Sequence, residues 1–175
     1  MSAVMSRLFD DAPNYASTSF PEPRKFQQEA HESLRQGFRD GHKNQLIMAP
    51  TGAGKTYLGH RIAHEALVKG RKVVLLCDRT TLINQTSKTA DAYGLGAHGI
   101  VQANHWRRNT EMPYQIASAQ TLAKRGYWPE ADVIIIDEAH TQLKVWTEFI
   151  QTTKAACIGL SATPFSPGLG KLFSD

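Results

Sequence analysis

Three short segments hold residue types that could handle a polyphosphate. Ala49-Pro50-Thr51-Gly52-Ala53-Gly54-Lys55-Thr56 is a glycine-rich turn closing in Gly-Lys-Thr. Glycines let backbone N–H groups curl inward as an anion nest, and a helix opening at this point adds the partial positive charge of its N-terminus. In such a loop the stretch Thr51, Gly52, Ala53 and Gly54 cradles phosphate oxygens. Lys55 reaches the β- and γ-phosphates, and the Thr56 hydroxyl ligates Mg²⁺. Ala49 stands where the pattern usually has its first glycine. The plain alternative is an ordinary strand-to-helix turn.

The second segment is Asp137-Glu138-Ala139-His140, after the apolar run Val133 to Ile136. Asp137 would hold the Mg²⁺ through its water shell, because hard cations keep oxygen ligands. Glu138 would orient or deprotonate an attacking water. His140 lies too far along to touch the metal and is expected to couple to a neighbouring strand. Taken alone, such an acidic pair reads equally well as a helix N-terminus carrying favourable negative charge. The third segment is Ser161-Ala162-Thr163-Pro164. The hydroxyls of Ser161 and Thr163 could bond to the acidic pair and relay nucleotide state; alone they would be a simple turn.

These segments need elements to hold them. Phe26, Ala30, Leu34 and Phe38 recur every fourth residue, one apolar stripe on a helix that Gly41 ends. Leu58, Ile62, Ala66 and Leu67 form a second helical face, and Leu82 to Ala92 a third helix. Strands are expected at Gln45 to Ala49, Val73 to Cys77, Ile100-Val101, Gln115 to Ser118, Val133 to Ile136 and Ala156 to Leu160. Val73-Val74-Leu75-Leu76-Cys77 has no polar alternation, as in a strand buried on both faces of a parallel sheet. Strands alternating with helices predict a three-layer α/β/α domain with a mostly parallel sheet. Such sheets bind ligands at the carboxyl ends of their strands, where all three segments fall.

With 175 residues the chain has room for one compact domain. Apolar residues at 41% and charged residues at 21% fit a globular chain and exclude a disordered one. The net charge of +4 permits a polyanionic partner without requiring one. Cys77 and Cys157 each lie in an apolar run and are expected as reduced core residues, which favours the cytoplasm or another reducing compartment. No apolar run approaches the ~20 residues of a membrane span. Residues 1–23 read as a tail or strap and 24–167 as the folded domain. The remaining histidines have no ligand spacing and are expected on the surface or on helices.

The three segments, in this order and each after a candidate parallel strand, resemble the first RecA-like motor domain of superfamily 2 helicases and translocases. Ala49 to Thr56 is similar to motif I, Asp137 to His140 to the DEAH box, and Ser161 to Thr163 to motif III. The resemblance implies an ATP-binding, Mg²⁺-dependent motor module acting on nucleic acid. It also implies that the strand before Ser161 lies between those before Gly52 and Asp137. Arg24-Lys25-Phe26-Gln27 resembles the adenine-sensing segment of XPB-like repair helicases and restriction-enzyme motor subunits, with Arg24 and Gln27 as the matching residues. That likeness tilts the expected partner towards DNA over RNA. Asp78 to Gln85 resembles motif Ia and Ala117 to Leu122 motif Ic, which implies backbone contacts to nucleic acid from Arg79, Thr80, Gln120 and Thr121. Asp78 departs from the proline common in relatives.

Relatives have a second RecA-like domain that completes the ATP cleft. Residues 168–175 resemble the start of the connection to it, so the chain is expected to be a fragment with little turnover of its own. A non-catalytic binding regulator is the alternative. His105-Trp106-Arg107-Arg108 reads as a polar surface loop with one anchoring tryptophan; the alternative is a base-stacking contact.

Overall fold

The computed structural model describes residues 13–50, 54–126, 128–139, 143–163 and 173. In chain order the elements are α1 (Lys25–Arg39), β1 (Asn44–Met48), α2 (Lys55–Val68), β2 (Val73–Cys77), α3 (Thr80–Ala92) and β3 (Gly99–Val101). They continue with β4 (Tyr114–Ser118), α4 (Ala119–Arg125), β5 (Val133–Asp137), α5 (Leu143–Thr152) and β6 (Ala156–Ser161). The six strands form one sheet in the order β1-β6-β5-β2-β4-β3, and every pair is parallel. The strand before Ser161 therefore lies between β1 and β5, as expected.

Alternation along the buried strands divides the core into two layers. Val73, Leu75 and Cys77 face a cluster with Leu34 of α1, Leu58, Ile62 and Leu67 of α2 and Ile83 of α3. Val74 and Leu76 face a second cluster with Leu122 of α4 and Ile150 of α5. Helices thus cover both faces, which is why β2 shows no polar position. Both cysteines are free and buried, and burial pushes their thiols up, Cys77 to about 12 and Cys157 to about 11.

Three details differ from the pattern. Helix α3 starts at Thr80, two residues before its first apolar residue, because its opening turn is polar and invisible to hydrophobic periodicity. The stripe on α1 runs off the core, leaving Phe38 39% exposed. His60 lies on a helix as expected but is fully buried at 0% exposure, while His98, expected at the surface or on a helix, is a core residue outside any helix, 4% exposed. Residues 13–23 are tied to the domain by hydrogen bonds and ring contacts. Tyr15 Oη donates to Ala97 O (2.6 Å), Ser19 N to Tyr93 O (3.0 Å) and Tyr57 Oη to Pro21 O (3.0 Å). The Phe20 ring packs on Tyr57 and Tyr93, pinning the strap across α2 and α3.

Gly159, in β6, sits under a tight roof. A Cβ there would lie 2.8 Å from Phe173 Cζ, 2.9 Å from Leu46 Cδ1 and 3.0 Å from Ala139 Cβ. Gly159→Ala is expected to destabilise the fold by about 1–3 kcal/mol through overpacking, read by urea unfolding.

Candidate functional site

The register aligns the strand ends that matter. Met48 pairs with Ser161 and Asp137 with Leu160, so the chain leaves β1, β6 and β5 side by side at one sheet edge. Two further bonds lock them: Ala49 N donates to Ser161 O and Ala139 N to Leu160 O, both at 2.9 Å. The start of the glycine-rich segment at Ala49, the hydroxyl pair and the acidic pair are thereby neighbours in space.

Gly54 caps α2 in the left-handed region, at φ +82°. A Cβ at Gly54 would overlap Gln27 Nε2, so this close approach requires glycine. Thr51, Gly52 and Ala53 lie outside the described residues. Lys55 opens α2, and its Nζ forms an ion pair with Glu138 Oε1 across 83 residues of sequence. Thr56 follows with its side chain exposed.

Asp137 Oδ1 accepts a hydrogen bond from Glu138 N (3.0 Å). Burial holds the Asp137 carboxyl above the usual aspartate range, and the Glu138 charge adds to this while Lys55 opposes it. Asp78 pushes the same way. Its side chain is only 12% exposed, so this acid contributes to the field around Asp137 instead of standing out on the surface beside Arg79. Glu138 adopts φ +53°, a conformation costly for a side-chain-bearing residue and most often kept where a site demands it.

The remaining predicted residues fall as follows. Ser161 Oγ is buried, donates to Thr163 O (3.1 Å) and accepts from Thr163 N (3.2 Å), a compact turn at the end of β6. His140 lies outside the described residues. Gln27 is 5% exposed, and its Oε1 accepts from Arg24 N (2.8 Å). With Nε2 against Gly54, this amide joins the start of α1 to the start of α2, a link across the fold that no local pattern announces. Arg79, Thr80, Gln120 and Thr121 lie at the opposite half of the same edge, after β2 and β4. Arg79 has a 78% exposed side chain, and Gln120 is exposed. Thr121 N donates to Ser118 Oγ, which caps α4.

An all-parallel sheet flanked by helices, with a lysine of a glycine turn facing an acidic pair two strands away, defines a RecA-like motor domain of the superfamily 2 helicase class. Residues 20–166 match the family model of the Type III restriction enzyme res subunit, and the chain belongs to that family. It is 27% identical to the Escherichia coli Type I restriction enzyme EcoAI endonuclease subunit over 170 aligned residues, which take in 86% of this chain and 20% of that protein. The chain thus spans about a fifth of that relative's length. Among solved structures, the UvsW helicase of bacteriophage T4 superposes with a TM-score of 0.68 at 18% identity, covering 90% of this chain and 58% of that one. The Sulfolobus solfataricus SWI2/SNF2 ATPase core in complex with double-stranded DNA superposes at 0.67 with 17% identity, covering 82% and 32%. These likenesses show the fold. No helix among the described residues is long and apolar enough to cross a membrane.

Proposed function

We propose that this domain is the ATP-binding half of a nucleic-acid-dependent motor, a helicase or translocase, with DNA favoured over RNA. The observation that carries the reading is the meeting of Lys55 and Glu138 across two different strand ends. The donor set fits Mg²⁺-ATP. The Thr56 hydroxyl and the Asp137 carboxylate are hard oxygen ligands, and the crowded negative charge of Asp137, Glu138 and Asp78 is of the kind a divalent cation relieves. Lys55 and the turn at 51–54 would hold the phosphates, with Thr56 and Asp137 holding the metal. Glu138 would position the attacking water, and Arg24 and Gln27 would meet the adenine. His140, Ser161 and Thr163 would couple nucleotide state to the neighbouring strands. Arg79, Thr80, Gln120 and Thr121 would meet the nucleic-acid backbone.

Motor action needs a second RecA-like domain to close the cleft and supply an arginine finger. Lack of that finger costs about 10³–10⁵ in turnover, so this domain alone is expected to hydrolyse ATP slowly and to unwind nothing. A reducing intracellular compartment suits the two free thiols. The test is to titrate the ATPase of the full-length protein with single-stranded DNA, duplex DNA and RNA. Stimulation by DNA above RNA is expected; a rate indifferent to all three refutes the motor reading.

A further inference from the structure

We infer that Trp106 is a stacking platform for an unpaired base of a bound nucleic-acid strand; this rests on the nucleic-acid reading above. The indole is 81% exposed, so it anchors nothing in this domain. A lone exposed aromatic residue is unremarkable in itself. Here the frame around it gives it meaning.

The loop after β3 is tied down on both flanks. Gln102 Nε2 donates to Thr80 O (3.3 Å), and Arg125 Nη2 to Ala103 O (2.9 Å). Ala103 itself is held at φ +28°. His105 Nδ1 accepts from Arg107 N (3.1 Å), which leaves Nε2–H to donate to Asn84 Oδ1 (3.0 Å). Arg107 Nη1 is pinned by Asp91 Oδ1 (2.7 Å) and His98 Nε2 (2.8 Å). On this frame the His105 ring stacks beside the indole at 5.8 Å, and the Arg107 guanidinium lies 4.8 Å from its centroid. A large π-face is thus presented rigidly to solvent, at small entropic cost on binding.

Its place in the sheet points to the occupant. Gln102 and His105 tie the loop to Thr80 and Asn84, so Trp106 is held beside the first turns of α3, the helix that Arg79 caps. The nucleotide residues occupy the other half of the edge, on β1, β6 and β5. Arg79 is an exposed cation at the start of that helix, suited to phosphates, while Trp106 offers the sequence-tolerant stacking that single strands use.

The experiment compares the native full chain with Trp106→Ala and Trp106→Phe, by anisotropy of labelled oligothymidylate and of an abasic oligonucleotide of equal length. Trp106→Ala is expected to weaken oligothymidylate binding about tenfold or more, and Trp106→Phe to retain most of it. Abasic affinity and the salt dependence should be unchanged, because no charge is lost. Equal oligothymidylate affinity in Trp106→Ala and native protein overturns the inference and leaves the face to a protein partner. An equal loss on the abasic strand overturns it too. If the native chain binds neither oligonucleotide, the nucleic-acid reading itself fails.

Discussion

Glu138→Gln is expected to bind ATP at least as tightly as the native protein while losing about 10²–10⁴-fold in turnover. Lys55 Nζ is ion-paired with Glu138. A phosphate must displace that carboxylate before the ammonium can serve it, so the native site exchanges one charge-assisted bond for another. Glutamine removes the competing charge and eases the exchange, yet it cannot take a proton from water. Lys55→Ala acts in the opposite direction. It removes the phosphate ligand and also the positive charge that restrains the carboxyl of Asp137. Loss of a charged hydrogen bond of this kind weakens binding by about 10- to 100-fold, with further loss through a more reluctant metal ligand. Titration with a fluorescent ATP analogue and single-turnover phosphate release in the full-length protein separate the two effects. Native turnover in Glu138→Gln, or native affinity in Lys55→Ala, would remove these residues from their assigned roles.

The parts of this fold that are readable from sequence are those where neighbours in the chain share an environment. Val73 to Cys77 is apolar throughout because both of its faces are covered, and the strand follows from that run to the residue. The glycine turn and the acidic pair declare themselves because strand ends in a parallel sheet deliver short segments to one edge. What stays hidden is polar burial satisfied by distant partners. Gln27 is marked out by its resemblance to an adenine-sensing segment, but nothing in the sequence shows that it is buried with its amide against Gly54, 27 residues on. Asp78 stands out in the sequence only as a departure from proline, and nothing there shows that it is buried and adds to the negative charge felt by Asp137. Trp106 looks like an anchor by composition, but its loop is held by Gln102, His105 and Arg107 instead. His98 shows the same limit. Its Nδ1–H donates to Leu95 O (2.7 Å), so Nε2 is free to accept from Ser87 Oγ (2.7 Å) and Arg107, a neutral imidazole fixed by three separate segments.

That burial has a cost that appears in acid. His60 is enclosed between α2 and β4, with Nδ1 2.7 Å from Tyr114 Oη and the rings of Tyr93 and Tyr114 edge-on. Burial, with the neighbouring His98 as a smaller cause in the same direction, lowers its pKa from the ordinary 6.5 to about 4. The unfolded chain therefore takes up a proton near pH 6.5 that the folded chain refuses until about pH 4. Stability from neutral His60 is fully present above pH 6.5 and drains away as the pH falls through that window, by roughly 3 kcal/mol in all. His98, also lowered by burial and by Arg107, adds in the same direction. Glu65 belongs to a separate, lower window. Burial raises it, but His31 and Arg35 outweigh this and hold it at about 2, so its contribution survives until the pH falls below the usual glutamate range. Urea unfolding at pH 7.5, 6, 5 and 4.5 should thus show a steep loss of stability before most carboxylates titrate. His60→Gln keeps a hydrogen-bonding partner for Tyr114 but cannot titrate. It should be less acid-sensitive, losing about one proton from the slope, close to 1.4 kcal/mol per pH unit. A slope identical to that of the native protein would mean that His60 takes up its proton in the folded core as readily as in the unfolded chain, and the acid sensitivity would then belong to His98 and its bond to Arg107.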